Sequence, residues 1–291
     1  MLYAKVMMIQ RNCAVKEALK AAREYLKDDG ISGADADELF CSACSISKPE
    51  VFAHPEWILT HRQAVELASL LRRRRKGVPL QYLLGEAWFC GRRFRIEKGV
   101  FIPRPETEIL AELAADRAKE YARAADNVRV LDICTGSGCI AITIAAECDS
   151  AVVTAVDKSA RAVRLAKRNA EALGVSACVE IYRGDLFPKV QEKYHLITCN
   201  PPYIAAADMA GLQREVKREP RLALVGGGNG LDHYRRISKK AACFLEKGGT
   251  LLLELGYGQA DAVSALFPRG FKFLIHDDFN GIPRVLEAVL E

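Results

Sequence analysis

Val15, Ala18, Leu19, Ala22 and Leu26 recur at three- and four-residue spacing, and this period predicts an amphipathic helix over 15–27. Two more helices are expected over 35–45 and 61–75. The last ends in Arg72-Arg73-Arg74-Arg75-Lys76 before Gly77. Cations at the negative end of a helix, followed by glycine, form a stop signal. The run itself reads as a solvated face. From Glu86 to Ile96 two short apolar-aromatic stretches flank Cys90-Gly91-Arg92, which predicts a β-hairpin. Phe101-Ile102-Pro103-Arg104-Pro105-Glu106-Thr107-Glu108 then opens a helix to about Ala124. Pro105 suits its first turn, and Glu106 and Glu108 suit its positive end.

Beyond Val128, apolar runs alternate with helical periods. Strands are expected at 128–132, 151–157, 178–182, 195–199, 250–254, 271–276 and 284–290. Helices are expected at 138–146, 160–173, 231–245 and 259–267. This alternation means a parallel sheet covered on both faces. The last two strands have no helix between them, so they should pair antiparallel. The expected organisation is a helical domain over 1–76, a hairpin connector over 77–98 and an α/β domain over 99–291.

With 291 residues, half of them hydrophobic, the chain can bury a large core. A net charge of +5 permits an acidic or RNA-containing partner without demanding one. The ten cysteines lie mostly in apolar segments, and no signal peptide is recognisable at the start. A cytosolic protein with reduced thiols is expected. Cys41-x-x-Cys44 has no second pair at zinc-like spacing, so no metal site is expected. No apolar run is long enough to span a membrane.

Two stretches carry chemistry. Val130-Leu131-Asp132-Ile133-Cys134-Thr135-Gly136-Ser137-Gly138-Cys139-Ile140-Ala141 reads as strand, glycine loop and helix start. Gly136, Gly138 and Ala141 also fit the dinucleotide pattern, which is weak alone. Asp132 separates the readings. A carboxylate at the strand end opposes a pyrophosphate and favours a cation, such as the amino or sulfonium group of S-adenosylmethionine. Asp157 ends the next strand, where an acid can accept both ribose hydroxyls. Asp185 follows the third strand and can accept from an adenine amino group, beside the Leu186 amide. Each acid alone could be a turn residue or a helix cap. Three at successive strand ends point to a ligand.

Asn200-Pro201-Pro202-Tyr203 follows the fourth strand. The Asn200 side-chain oxygen and the Pro201 carbonyl are two acceptors, the latter aimed by locked φ angles. Together they can orient a planar NH2 group for attack on an electrophile, and Tyr203 can pack against its plane. The bland alternative is a proline-stiffened loop.

The set resembles the class I S-adenosylmethionine-dependent methyltransferases that modify planar amino groups. With Pro79-Leu80-Gln81-Tyr82, the Phe101–Glu108 segment, Glu219-Pro220, Gly230-Leu231-Asp232-x-Tyr234-Arg235 and Glu254-x-Gly256-x-x-Gln259, nearly the whole chain resembles the HemK/PrmC family. These are glutamine methyltransferases of class I peptide chain release factors. The resemblance implies a Rossmann-like, mostly parallel seven-stranded sheet with an antiparallel last strand, and a small N-terminal helical domain that grips the substrate. It implies S-adenosylmethionine as cofactor, held by Asp132, Cys134, Thr135, Gly136, Ser137, Gly138, Asp157, Asp185, Leu186 and Asn200. It implies Asn200, Pro201, Pro202 and Tyr203 as the catalytic set. The partner would be the release factor, methylated on the glutamine of its Gly-Gly-Gln motif, with a monomeric cytoplasmic enzyme and no nucleic-acid substrate. The family usually has glycine where this chain has Cys134; a negative φ there would make the change harmless. The expected step is direct displacement, with the amide nitrogen held at about 3–3.5 Å from the methyl group. A neutral amide and no identified base predict little pH dependence. His195 is expected to be structural and His233 to lie on the surface. A ribosomal protein glutamine as substrate would share the same motifs; an adenine amino group of DNA or RNA is a second alternative, which would need a basic groove and a pocket for a flipped base.

Overall fold

Residues 13–189 and 192–291 are described by the computed structural model. Its chain divides into two compact units, one of residues up to Gly85 with Gln213–Arg218, the other of Glu86–Leu212 with Glu219–Glu291.

The first unit is helical: α1 Val15–Lys27, α2 Gly33–Cys44, α3 Lys48–Ala53, α4 His61–Arg75 and α5 Leu80–Leu84. Capping boxes start α3 and α4. The hydroxyls of Ser47 and Thr60 accept the N–H three residues on, and Glu50 and Gln63 reach back to the cap N–H. Gln63 also donates to the Cys44 carbonyl at 3.0 Å, tying α4 to the end of α2. Leu26, Leu39, Phe40, Leu67 and Leu71 fill the core between them. Cys41 and Cys44 both pack on this core from α2, and burial pushes the Cys44 thiol up to about 12.

The basic run is only half a solvated face. Arg72 and Arg73 are exposed. Arg74 is 12% exposed and joins Asp35 at 2.6 Å and Glu215 at 2.7 Å. Arg75 lies over the Tyr25 ring at 4.4 Å and pairs with Asp29. The charge run does not betray this, because those carboxylates come from distant segments.

The second unit begins with an antiparallel hairpin, β1 Glu86–Phe89 and β2 Arg92–Arg95. Helix α6 spans Pro105–Tyr121, and its Glu108 accepts the Cys90 N–H at the hairpin turn at 3.0 Å. Then follow β3 Val128–Ile133, α7 Cys139–Glu147, β4 Ala151–Asp157, α8 Ala160–Ala172, β5 Val179–Arg183 and β6 Tyr194–Cys199. After a looped stretch come α9 Arg221–Leu224, α10 Asp232–Phe244, β7 Leu245–Glu254, α11 Ala260–Ser264, β8 Phe271–Asp277 and β9 Pro283–Leu290.

The seven-stranded sheet has the order β5-β4-β3-β6-β7-β9-β8. Strands β5, β4, β3, β6 and β7 run parallel, and β9 is antiparallel to both β7 and β8. This is the expected α/β architecture with an antiparallel final strand. Alternation along β3 sorts the core. Val128 and Val130 pack under α6, α7 and α8, whereas Leu131 and Ile133 face α10 and α11. Asp132 shares the parity of Val128 and Val130, so the strand sends it under the α7 side. No helix of the described residues is long and apolar enough to cross a membrane.

Candidate active site

Because five neighbouring strands are parallel, their carboxyl ends and the turns after them meet at one edge. A cavity of about 950 Å³, counting its open mouth, lies there. Cys134, Thr135, Gly136 and Ser137 line it, as do Asp157, Asp185, Leu186, Asn200 and Pro202. Asp132, Gly138, Pro201 and Tyr203 do not reach its wall.

The glycine loop is built on positive φ angles: +62° at Cys134, +58° at Gly136 and +84° at Gly138. The negative φ that would make Cys134 a harmless replacement for glycine is not found, and the loop holds an L-residue in the left-handed region at a cost of about 1–2 kcal/mol. A Cβ on Gly138 would stand 2.9 Å from Ile142 Cδ1 and 3.1 Å from Ala166 Cβ, so this position is also closed by packing. A Cβ on Gly136 would meet only the Cys134 carbonyl oxygen, at 3.9 Å, so bare backbone faces the cavity there.

Asp157 braces this loop. Its Oδ2 accepts the Gly136 N–H at 2.9 Å and its Oδ1 the Ser159 N–H at 2.7 Å. Burial raises its carboxyl above the usual range, against the pull of those two amides. Asp185 is exposed; against some burial, Lys158 at 3.2 Å and Arg236 at 3.1 Å hold it below the usual range. Leu186 beside it has φ +67°. Asp132 is fully buried behind the loop. Thr198 donates to its Oδ1 at 2.7 Å, and the Thr135 hydroxyl and the Ala141 N–H also favour its charged form. Burial pushes this carboxyl up to about 6. The expectation of a carboxylate at the mouth of the loop thus misses its burial; Asp132 can act on a ligand only by its field through the loop.

Asn200 stands on the cavity wall with its amide nitrogen turned inward. It donates to Glu254 Oε2 at 2.8 Å and to Thr107 Oγ1 at 3.1 Å. Tyr203 packs into the core beside β7, with its hydroxyl 3.4 Å from Glu254 Oε1. Burial and the adjacent Glu254 raise its phenol well above the usual range. Gln259 donates to the Tyr203 carbonyl at 3.1 Å and accepts the Gly256 N–H at 3.2 Å, so it clamps the turn after β6 to the turn after β7. Gly230 has φ +78°, and a Cβ there would fall 2.3 Å from the Tyr203 carbonyl oxygen.

Several residues in this scaffold had no role assigned from sequence. Glu219, 5% exposed, accepts the Ile102 N–H at 3.0 Å and pairs with Arg104. It thereby fixes the segment from which Phe101 and Pro103 reach the cavity. Asn169 donates to the carbonyls of Arg95 and Ser137, at 3.1 and 2.9 Å, and accepts the Arg95 N–H at 2.9 Å, joining β2 to the glycine loop. A lone Asn on the apolar face of α8 was the available signal. His233, expected on the surface, is half-buried. It lines the cavity with a buried, unpartnered Nδ1, and burial beside Arg236 lowers its pKa. His195 lies near the far end of β6, where its Nδ1 accepts the Arg129 N–H at 3.0 Å, consistent with a structural role.

The Methyltransferase small domain family matches residues 107–255, and the PrmC N-terminal domain family matches residues 17–85. A release factor glutamine methyltransferase of Geobacter sulfurreducens is 40% identical over 278 residues, covering 94% of this chain and 95% of that protein. One of Cereibacter sphaeroides is 40% identical over 279 residues, covering 94% of this chain and 98% of that protein. Among solved structures, the hMettl16 catalytic domain in complex with a MAT2A 3′UTR hairpin aligns with TM-score 0.53 at 15% identity, covering 85% of this chain and 90% of that one. This last likeness concerns the fold alone. At 40% identity over nearly the full length, with both domain families in place, the chain belongs to the family of release factor glutamine methyltransferases.

Proposed function

We propose that this protein methylates the side-chain amide nitrogen of the glutamine in the Gly-Gly-Gln motif of class I peptide chain release factors, with S-adenosylmethionine as donor. The observation that carries the reading is Asn200 on the wall of the cavity floored by the glycine loop, in a chain of this family. When bound, the cofactor supplies a methyl group made electrophilic by its sulfonium.

The residues present fit that group. Bare backbone at Gly136 opens onto the cavity with no side chain in the way, and Thr135 lines the same wall. Each oxygen of Asp157 carries one N–H and keeps a lone pair for a ribose hydroxyl. Asp185 and Leu186 stand where an adenine ring would be read. Cys134 and Ser137 complete the loop wall, and Gly138 shapes it from behind. Asn200 Oδ1 and the Pro201 carbonyl accept the two hydrogens of the substrate amide. The nitrogen gains positive character as it is methylated, so acceptors bind it more strongly in the transition state. Pro202 stiffens the turn, and Tyr203 anchors it rather than stacking on substrate. The N-terminal helical unit docks the release factor, in the cytoplasm where translation ends.

Incubation with labelled S-adenosylmethionine and a purified release factor, then mass mapping of the Gly-Gly-Gln peptide, should place one methyl group on that glutamine. Label on a ribosomal protein or on nucleic acid, with none on the factor, would overturn the reading.

A further inference from the structure

We infer that Glu254 is a positioning residue whose carboxylate orients the Asn200 amide, turning its NH2 into the protein and leaving Oδ1 for the substrate nitrogen. The inference rests on the reaction proposed above.

Glu254 ends β7 directly after Leu253, which is in register with Cys199, the residue before Asn200. It is 2% exposed. Its Oε2 takes Asn200 Nδ2 at 2.8 Å, and the Thr107 hydroxyl takes the same nitrogen at 3.1 Å. Both hydrogens of that amide nitrogen are thereby used. Turning the amide over would set Oδ1 against the anionic Oε2; the Thr107 hydroxyl can donate or accept and so tolerates either orientation, which leaves the carboxylate as the group that fixes it. Nothing comparable constrains an isolated Asn, whose two faces are nearly equal in shape. The buried Tyr234 donates to the main-chain carbonyl of Glu254 at 2.8 Å, which fixes the backbone there, and the Tyr203 hydroxyl lies 3.4 Å from the carboxylate Oε1.

This orientation depends on charge. Around the carboxylate stand Thr107 and Glu106 from α6, Cys199 and Tyr203 from β6 and the turn after it, Tyr234 from α10 and Arg284 from β9. Burial outweighs the hydroxyls of Thr107 and Tyr203 and the guanidinium of Arg284, and pushes the carboxyl up to about 7. Once protonated, Glu254 becomes a donor and competes for Asn200 Oδ1. Turnover should therefore fall as pH drops through neutrality, in place of the flat profile expected from the neutral substrate alone.

The test uses the full chain, labelled S-adenosylmethionine and a release factor, with kcat followed from about pH 6 to about pH 9. Binding of S-adenosylhomocysteine is titrated alongside. Glu254→Gln should bind S-adenosylhomocysteine within about threefold of wild type, lose about tenfold in kcat at the alkaline plateau and lose the acid limb. Asn200→Asp sets two carboxylates together and should lose about 100-fold or more; adding Glu254→Gln puts a donor opposite Asp and should recover about tenfold. Wild-type kcat in Glu254→Gln with its acid limb intact would overturn the inference. So would a double variant no faster than Asn200→Asp, with both binding S-adenosylhomocysteine. A wild-type chain that leaves the release factor unmethylated would instead overturn the reaction on which the inference rests.

Discussion

At Cys134 a single residue shows how the glycine loop is made. Its φ of +62° belongs to glycine, yet a thiol stands there, facing the cavity and packed against the core under α10. Two substitutions separate strain from packing. Cys134→Ala keeps a Cβ in the left-handed region, and Cys134→Gly removes it; both lose the thiol. The Gly variant should be more stable than the Ala variant by about 1 kcal/mol, after allowing for the greater entropy that glycine loses on folding. Denaturant titration of the two would decide it, and equal midpoints would mean that the backbone relaxes around Cys134. Asp132 teaches a related lesson. A carboxylate at a strand end reads as a surface ligand group, but its parity on β3 sends it under α7 beside Thr198.

Helix α7 depends on how its first turn meets its neighbours. Gly138 caps it at φ +84°, where the chain must pass within van der Waals reach of Ile142 and of Ala166 on α8. Gly138→Ala should therefore cost more than Gly136→Ala, which carries backbone strain alone. A difference of about 1–3 kcal/mol is expected, the range for inserting a methyl group into filled space. Thermal melts of both variants check this; equal losses would mean that Ala166 yields without cost. The same element logic explains the family's longer motifs. Glu219 holds the Phe101–Arg104 approach to α6, and Gln259 holds the Tyr203 carbonyl, so these two residues act as struts between segments.

On the scale of the whole molecule, two buried acids make stability fall as pH rises, against the opposite contribution of ion-paired carboxylates such as Glu215 and Glu287. Glu254 is raised to about 7 from an ordinary 4.5, and Asp132 to about 6 from 3.8. The folded state therefore binds these protons more tightly than the unfolded chain does. Their contribution is fully present below the unfolded pKa and is lost as pH rises through the folded one. Glu254→Gln cannot lose it. Its stability relative to wild type should rise by about 3 kcal/mol between acid and mildly alkaline pH, at 1.36 kcal/mol per pKa unit. Denaturant midpoints at the two pH values measure this, and a constant difference would rule out the raised carboxyl. The division of labour between units gives a further expectation. Every residue lining the cavity comes from Gly99 or later. Deletion through Gly85 should leave S-adenosylhomocysteine binding within about threefold, while release-factor methylation falls about 100-fold or more through lost docking. Full-rate methylation by the truncated chain would refute docking by the helical unit.

Much of this was legible in the residues. Period-two and helical repeats are local properties of the chain, so the alternating strands and helices of the second unit follow from them. The turn residues are equally local, and Thr135, Gly136, Asp157, Asp185, Leu186 and Asn200 do gather at one strand edge. Other features needed the fold. The pairing of Arg74 with Glu215, the Ile102–Glu219 bond and the link from Asn200 to Glu254 join segments 141, 117 and 54 residues apart. No short-range pattern encodes which distant carboxylate meets which donor. That is set by the strand order β5-β4-β3-β6-β7-β9-β8, which lays β7 beside β6 and brings an acid from one strand end against the amide of the next. Sequence by itself determined the elements and the residue types at their ends; the tertiary structure decided which of them are buried, which face the cavity and which hold the others in place, because burial and pairing exist only after the sheet has formed.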